Sequence, residues 1–175
     1  MHRILRLGLV AALGASLSMP TVAAAQNSDS DQIQATLTVI QAILVTGTQD
    51  LAFGTVLGGA AVTIDWQDPL AGALEIDAAP GEQIDATFTA LPAVLTRVGG
   101  TETVAITYTA GVNDVNDQAS GTPVTDPTGV GVASFAVPTT GQVYIWLGGS
   151  VSPAAAQAVG DYVATIELTA SYTGT

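Results

Sequence analysis

The sequence predicts an all-β protein built as an antiparallel sandwich or barrel, and three observations support this fold class. Apolar and polar residues alternate with a period of two in many short segments, as they do in half-buried strands. Clusters of turn-forming residues separate these segments. Apart from one or two turns expected at Pro153–Val159, no segment repeats its apolar residues with the period of a helix.

The first three predicted strands lie within residues 32–66. In Gln32–Val39, four apolar residues share one face of the strand and four polar residues share the other. The apolar residues are Ile33, Ala35, Leu37 and Val39. Leu51–Leu57 is predicted as a second strand and Ala61–Trp66 as a third, and the Gly58-Gly59 pair between them predicts a turn.

Five further strands are predicted from the same alternation: Gln83–Ala90, Thr103–Thr109, Gly131–Val137, Gln142–Leu147 and Asp161–Tyr172. The last is the longest, because its alternation continues without a break from Tyr162 to Tyr172. Turns are predicted at Pro80-Gly81, Gly99-Gly100, Asn113-Asp114, Asp126-Pro127 and Gly148-Gly149. The polar, acidic stretch Gly111–Gly129 is the longest predicted loop, and loops of this kind often bind ligands.

Residues 1–25 have the layout of a secretory signal peptide. Basic residues at the start are followed by the uncharged apolar run Leu7–Leu17, and Ala23-Ala24-Ala25 provides an A-x-A cleavage site. We expect cleavage before Gln26 and export of a single domain, residues 26–175, through the periplasm to the cell surface or medium. No later stretch is apolar for long enough to insert into a membrane as a helix.

The composition of residues 26–175 argues against most enzyme chemistry. These residues contain no cysteine, histidine or lysine, which supply most general bases, activated nucleophiles and transition-metal ligands. Arg97 is their one basic residue against fifteen acidic ones, which gives a net charge of −14. Such a surface repels nucleic acid. We therefore expect a protein that is not an enzyme, has no cofactor and does not bind nucleic acid.

With cysteine, histidine and lysine absent from residues 26–175, carboxylates are the remaining candidates for catalysis or metal binding. A glycan-cleaving enzyme needs only two of them, but the spacing of the candidates marks no pair, and we interpret them as solvated strand residues. The candidates are Asp65, Asp68, Glu75, Asp77, Glu82 and Asp85. The run Asn113–Asp117, with Asp126, offers oxygen ligands for calcium, but it lacks the glycine and terminal glutamate of an EF-hand loop. We interpret it as a polar turn and assign no metal site.

Two aromatic residues are candidates for contact with a partner. If Val143, Ile145 and Leu147 face the core, Tyr144 and Trp146 face outward. There they would either stack on a sugar or protein partner or stiffen the sheet through cross-strand pairs.

Motifs at the two ends of the chain carry a family resemblance. Ala35–Val39, followed by Leu51–Val56 with its Leu-x-Phe-Gly box, resembles the start of spore coat protein U-like domains and archaic chaperone–usher pilins. Gly160–Tyr172 is similar to their closing strand, and both boxes also resemble a family of secreted bacterial domains of unknown function. The chain departs from the pilins at Ile43–Val45, where they carry a cysteine. This departure favours the domains of unknown function.

The resemblance implies an immunoglobulin-like antiparallel β-sandwich, either complete or lacking one strand that a donor supplies. In the incomplete form, Ile33, Ala35, Leu37 and Val39 of one subunit would fill the groove of another, and the protein would be a pilin-like subunit of a cell-surface fibre. Its partners would be other copies or related subunits, a periplasmic chaperone and an outer-membrane usher. In the alternative, the first strand pairs within its own domain, and the protein is a self-contained secreted sandwich that binds a carbohydrate or calcium.

Overall fold

The computed structural model describes residues 30–128 and 133–174, which belong to two compact units, Met1–Leu37 and Thr38–Thr175. The predicted signal peptide and its cleavage site lie outside the described residues. In the first unit, residues 30–37 are exposed and form no helix or strand.

The second unit is an all-β fold in which all the described strand pairs are antiparallel, as the sequence predicts. The strands are β1 (Leu44–Gln49), β2 (Val62–Ile64), β3 (Gly72–Asp77), β4 (Gln83–Ala90), β5 (Val94–Arg97), β6 (Thr103–Asn113), β7 (Thr122–Val124), β8 (Ala133–Ala136), β9 (Gln142–Val151), β10 (Tyr162–Val163) and β11 (Glu167–Tyr172). Within the described residues, one sheet has the order β1-β3-β9-β6-β5-β10, with β2 on β9 and β7 on β6. The other sheet has the order β11-β4-β8, and together the two form a sandwich.

The larger of the two hydrophobic clusters among the described residues lies between the two sheets. Alternation places one face of β4 and one face of β9 against each other, so Ile84 and Ile145 are fully buried. The other buried members are Ile76, Ala78, Ala86, Phe88, Ala110, Val137, Val143 and Leu147. Burial of this apolar surface supplies most of the driving force for folding.

Several predicted strands differ from those in the structure. Gln32–Val39 and Leu51–Leu57 lie in no strand, although Leu51, Phe53 and Val56 still turn their side chains toward the core. The alternation of burial runs unbroken from Asp161 to Tyr172, but the backbone ladder does not. It breaks at residues 164–166 because β10 pairs with β5 in one sheet and β11 with β4 in the other.

Three other sequence expectations are corrected by the structure. The Gly148-Gly149 pair, predicted as a turn, lies inside β9. Pro153–Val159 forms no helix; it contains a turn in which the Gln157 N–H donates to the Ala154 carbonyl over 2.9 Å. The predicted loop Gly111–Gly129 begins with the end of β6, and its described part contains a 3₁₀ turn, Gln118–Ser120, and β7. No helix of the described residues is long and apolar enough to span a membrane.

Candidate functional site

The four apolar residues of the predicted N-terminal strand remain open to solvent. Ile33 is 95% exposed, Leu37 86% and Val39 81%, and Ala35 is also exposed. Residues 30–43 form no strand, so the backbone of this segment joins no sheet. We call residues 30–39 the arm. Large apolar side chains that are this exposed in an alternating row are unusual in a folded protein.

The second unit has an open groove of about 1090 Å³ at the end of the sandwich where β1 finishes. One wall is formed by the chain from Gly47 through β1 to Val56, and the other by residues 157–166. The floor is apolar and comes from the large sheet. Its residues are Leu95, Val104, Ile106, Leu147 and Val151.

Each groove wall includes a stretch of backbone that makes no backbone hydrogen bond. Among the described residues, no backbone hydrogen bond joins residues 51–56 or residues 164–166 to another part of the chain. Strand β11, which continues from the second wall, pairs with β4 and has no strand on its other edge within the described part of the chain. These residues are exposed or partly exposed, so water can satisfy their backbone groups, but an unpaired edge is also a template for another strand. The groove therefore has room and hydrogen-bonding capacity for an added strand.

The hydrophobic cluster beneath the groove is correspondingly small. Among the described residues it contains three buried residues, Val104, Ile106 and Val151, whereas the cluster between the two sheets contains ten. Leu51, Phe53, Val56 and Tyr162 pack on it but remain partly exposed. Irregular chain covers this end of the sandwich, and the side chains that pack on the cluster from that chain stay partly exposed.

Arg97 holds the second groove wall in place. Its Nε donates to the Val159 carbonyl over 3.0 Å, and an Nη atom lies 3.4 Å from a Glu102 carboxylate oxygen. A Cβ added at Gly160, where φ is 148°, would lie 2.8 Å from Arg97 Nε, so this close approach requires glycine. Tyr162 adds a second attachment, because its hydroxyl donates to the Ala158 carbonyl over 2.7 Å.

The Arg97–Glu102 pair gives the wall a small dependence on pH. Hydrogen bonds from the backbone of Glu102 itself and from the Arg97 guanidinium lower the pKa of Glu102 below its usual 4.5. The stabilisation is therefore present above the usual pKa and lost as the pH falls through the lowered one. We expect Glu102→Gln to reduce the loss of thermal stability between about pH 5 and pH 3, measured as Tm against pH. Equal slopes for the two proteins would contradict this.

Tyr144 and Trp146 lie side by side on the face of β9 opposite Val143, Ile145 and Leu147. Their ring centroids are 6.1 Å apart and the rings are nearly parallel. Trp146 is only 5% exposed, so the expectation that it faces a partner directly is wrong. The cause is Trp66, whose ring lies against Gly111, the residue opposite Trp146 in the β6–β9 ladder. A ring placed there covers the sheet face that alternation alone assigns to solvent.

Tyr144 keeps a polar edge. Its hydroxyl donates to the Gln142 amide oxygen over 3.2 Å, and the Gln142 amide nitrogen donates to Glu75 over 2.6 Å. Burial, together with the negative charges of Glu75 and Asp77, raises the pKa of Tyr144. These contacts are those of a cross-strand network on the sheet surface, the second of the two roles considered for the aromatic pair.

The acidic run Asn113–Asp117 is folded as a polar turn. The Asp117 carboxylate accepts hydrogen bonds from the Ala119 N–H and the Ser120 hydroxyl, and the Asn113 amide donates to the Asp117 carbonyl. Asp126 accepts from the backbone and hydroxyl of Thr128. Over the described ranges, no group of three or more acidic side chains is placed to hold a metal ion.

The structure places residues 51–56 and 164–166, which the sequence analysis assigned to two separate strands, around one groove. It also gives Arg97 a role that the sequence analysis did not predict. The groove walls at 51–56 and 164–166 were predicted as strand segments, and their unpaired state leaves no signal in the alternation. The role of Arg97 was also missed, although the sequence marks it as the one basic residue of residues 26–175.

Comparison with models of known families and with curated protein sequences found no match to this chain.

Proposed function

We propose that this protein is an exported structural subunit that assembles with copies of itself by strand donation. The arm of one copy enters the groove of the next, and the result is a fibre at the cell surface. The observation that carries the proposal is the unpaired backbone of both groove walls, at residues 51–56 and 164–166. In this proposal, a periplasmic chaperone and an outer-membrane usher keep the groove covered until assembly.

The arm has the chemistry that the groove requires. Residues 32–40 carry no charge, which matters because burying an unpaired charge over an apolar floor is costly. Their alternation presents Ile33, Leu37 and Val39 to one side while polar residues stay in water. Each of these three side chains contributes roughly 1.5–3 kcal/mol when it becomes buried, and ordering of the arm offsets part of that gain.

Strand addition also satisfies the backbone. A strand between residues 51–56 and residues 164–166 can exchange hydrogen bonds with one or both walls, and the pairing is independent of side-chain identity. The pockets between the floor residues then select apolar side chains at alternate positions. The two contributions together favour a segment with the pattern of residues 32–39.

A synthetic peptide covering Gln32–Ile40 tests the proposal with the full chain. Excess peptide is expected to occupy free grooves, shorten the polymers seen by size-exclusion chromatography with light scattering, and raise Tm. At about 100 times its dissociation constant, a ligand adds about 2.7 kcal/mol of stability, or roughly 5–10 °C for a chain of this size.

The matched control is the same peptide with Leu37→Glu, which is expected to leave both polymer length and Tm unchanged. Equal effects of the two peptides would contradict insertion of this face into the groove. A wild-type chain that stays monomeric at high concentration, with slow amide exchange at residues 32–39, would contradict the proposal and favour a closed secreted domain.

A further inference from the structure

We infer that Tyr172 directs the arm toward a second copy by preventing it from folding back into the groove of its own chain. This inference rests on the proposed function. Tyr172 stands at the end of β11, and its hydroxyl donates to the Gln41 carbonyl over 2.7 Å and accepts from the Ala79 N–H over 2.8 Å. One side chain therefore links three segments: the residues that follow the arm, the turn between β3 and β4, and the last strand. We call the two hydrogen bonds of the Tyr172 hydroxyl the clasp.

The clasp lies at one end of the two segments that lead to the groove walls. From Gln41 the chain continues through β1 to the first groove wall, and from Tyr172 it runs back through β11 to the second wall. The two segments are bonded at the Tyr172 end and separated by the groove at the other end. The groove is therefore closed at the end where the arm begins.

Entry of the arm into its own groove would require a reversal of the chain. The arm precedes β1, and β1 itself leads into the groove, so the arm would have to turn back between Val39 and Leu44 and run antiparallel to β1. That reversal would fall on Ile40–Ile43, where Gln41 is held by Tyr172 and Ile43 packs against the main core. These four residues also include no glycine, proline, asparagine or aspartate, the residues that tight turns favour.

The energetic consequence is that the groove favours the arm of another copy over the arm of its own chain. Self-insertion would break the bond from Tyr172 and place poor turn formers in a tight turn, whereas insertion into another copy leaves the clasp intact. The local cost of reversal therefore falls only on the closed monomer. Loss of the Tyr172 hydroxyl is expected to shift the ratio of closed monomer to polymer by about two- to tenfold, since the solvent-exposed bond to the Gln41 carbonyl is the one that self-insertion breaks.

The test compares the full wild-type chain with Tyr172→Phe, and Tyr108→Phe is the matched control. Tyr108 is also half-buried, and its hydroxyl donates to the Pro92 carbonyl over 2.9 Å, away from the arm. Size-exclusion chromatography measures the monomer fraction, and hydrogen exchange of that fraction measures protection at residues 32–39. Tyr172→Phe is expected to raise the monomer fraction and slow exchange in the arm, and Tyr108→Phe to change neither.

A second variant tests the reversal without touching Tyr172. Gln41→Asn with Ala42→Gly installs a two-residue hairpin turn and keeps the carbonyl that Tyr172 bonds. It is expected to increase the protected monomer as well. A Tyr172→Phe chain that polymerises like wild type, or one whose monomer has an unprotected arm, would overturn the inference while leaving strand donation intact.

The oligomeric state and arm protection of the wild-type chain distinguish failure of strand donation from failure of the clasp. A wild-type monomer with a protected arm would overturn both, because the clasp would not have prevented self-insertion. A wild-type monomer with an unprotected arm would contradict strand donation alone, and protection gained on Tyr172→Phe would still support the clasp.

Discussion

The full chain carrying Leu37→Glu is expected to remain monomeric at concentrations at which the wild-type chain forms polymers. Leu37 is 86% exposed and lies in no strand, so this substitution removes no packing from the isolated subunit. In the inserted state the carboxylate would lie over the apolar floor at Val104, Ile106 and Leu147 without a cationic partner. The penalty for such burial is about 3 kcal/mol, which weakens the association between two subunits by about 100-fold.

Thr36→Glu is the matched control for this prediction. It adds the same charge one residue away, on the polar face of the arm, and is expected to assemble nearly as well as wild type. Light scattering across a concentration series measures both variants. Assembly of Leu37→Glu at wild-type concentrations would contradict the proposed orientation of the arm. An equal loss in both variants would indicate that charge repulsion between subunits is the cause.

The fold class followed from the sequence because period-two alternation reports which side of a strand is buried. It gave β4 with its full bounds, Gln83–Ala90, and located β2, β6, β8, β9 and β11. Strands β1, β3, β5 and β7 were missed, β1 and β3 for local reasons. β1 is mostly exposed and contains Gly47, and β3 begins at Gly72 and is covered on both sides, so neither alternates clearly.

Alternation did not show which strands find a partner. Leu51–Leu57 and residues 161–172 both have the pattern of paired strands, and in both the side chains face as expected. Their backbone pairing depends on neighbours that are distant in sequence, and at 51–56 and 164–166 the described chain supplies none. The groove therefore could not be predicted from the sequence, whereas the row of apolar residues in the arm could.

Trp66 explains two further differences between pattern and structure. Its ring lies against Gly111, and its backbone lies against Gly148, so the turn predicted at Gly148-Gly149 is a strand that accommodates a close approach. The same ring hides Trp146 from solvent. A glycine pair signals a turn when only local conformation is considered, but it equally serves where another segment packs directly on the backbone.

Gly148→Ala is expected to be the most destabilising small substitution on this face of the sheet. A Cβ at this position would meet backbone atoms of Ile64, Asp65 and Trp66, and backbone cannot move aside as a flexible side chain can. Relief requires β2 or the Trp66 segment to shift away from β9, with loss of packing over Gly111. Overpacking of this kind costs about 3 kcal/mol, a fall in Tm of roughly 6–12 °C for a chain of this size.

Gly47→Ala is the control that separates a steric effect from a general effect of glycine replacement. Gly47 also lies inside a strand, but a Cβ there would meet nothing within 4 Å. Alanine at this position restricts the unfolded chain and adds no clash, so we expect Tm to stay level or rise slightly. Thermal unfolding followed by tryptophan fluorescence measures both variants, because Trp66 lies against β9 and Trp146 lies within it. If Gly148→Ala unfolds at the wild-type temperature, the close approach of Trp66 to β9 does not constrain this strand.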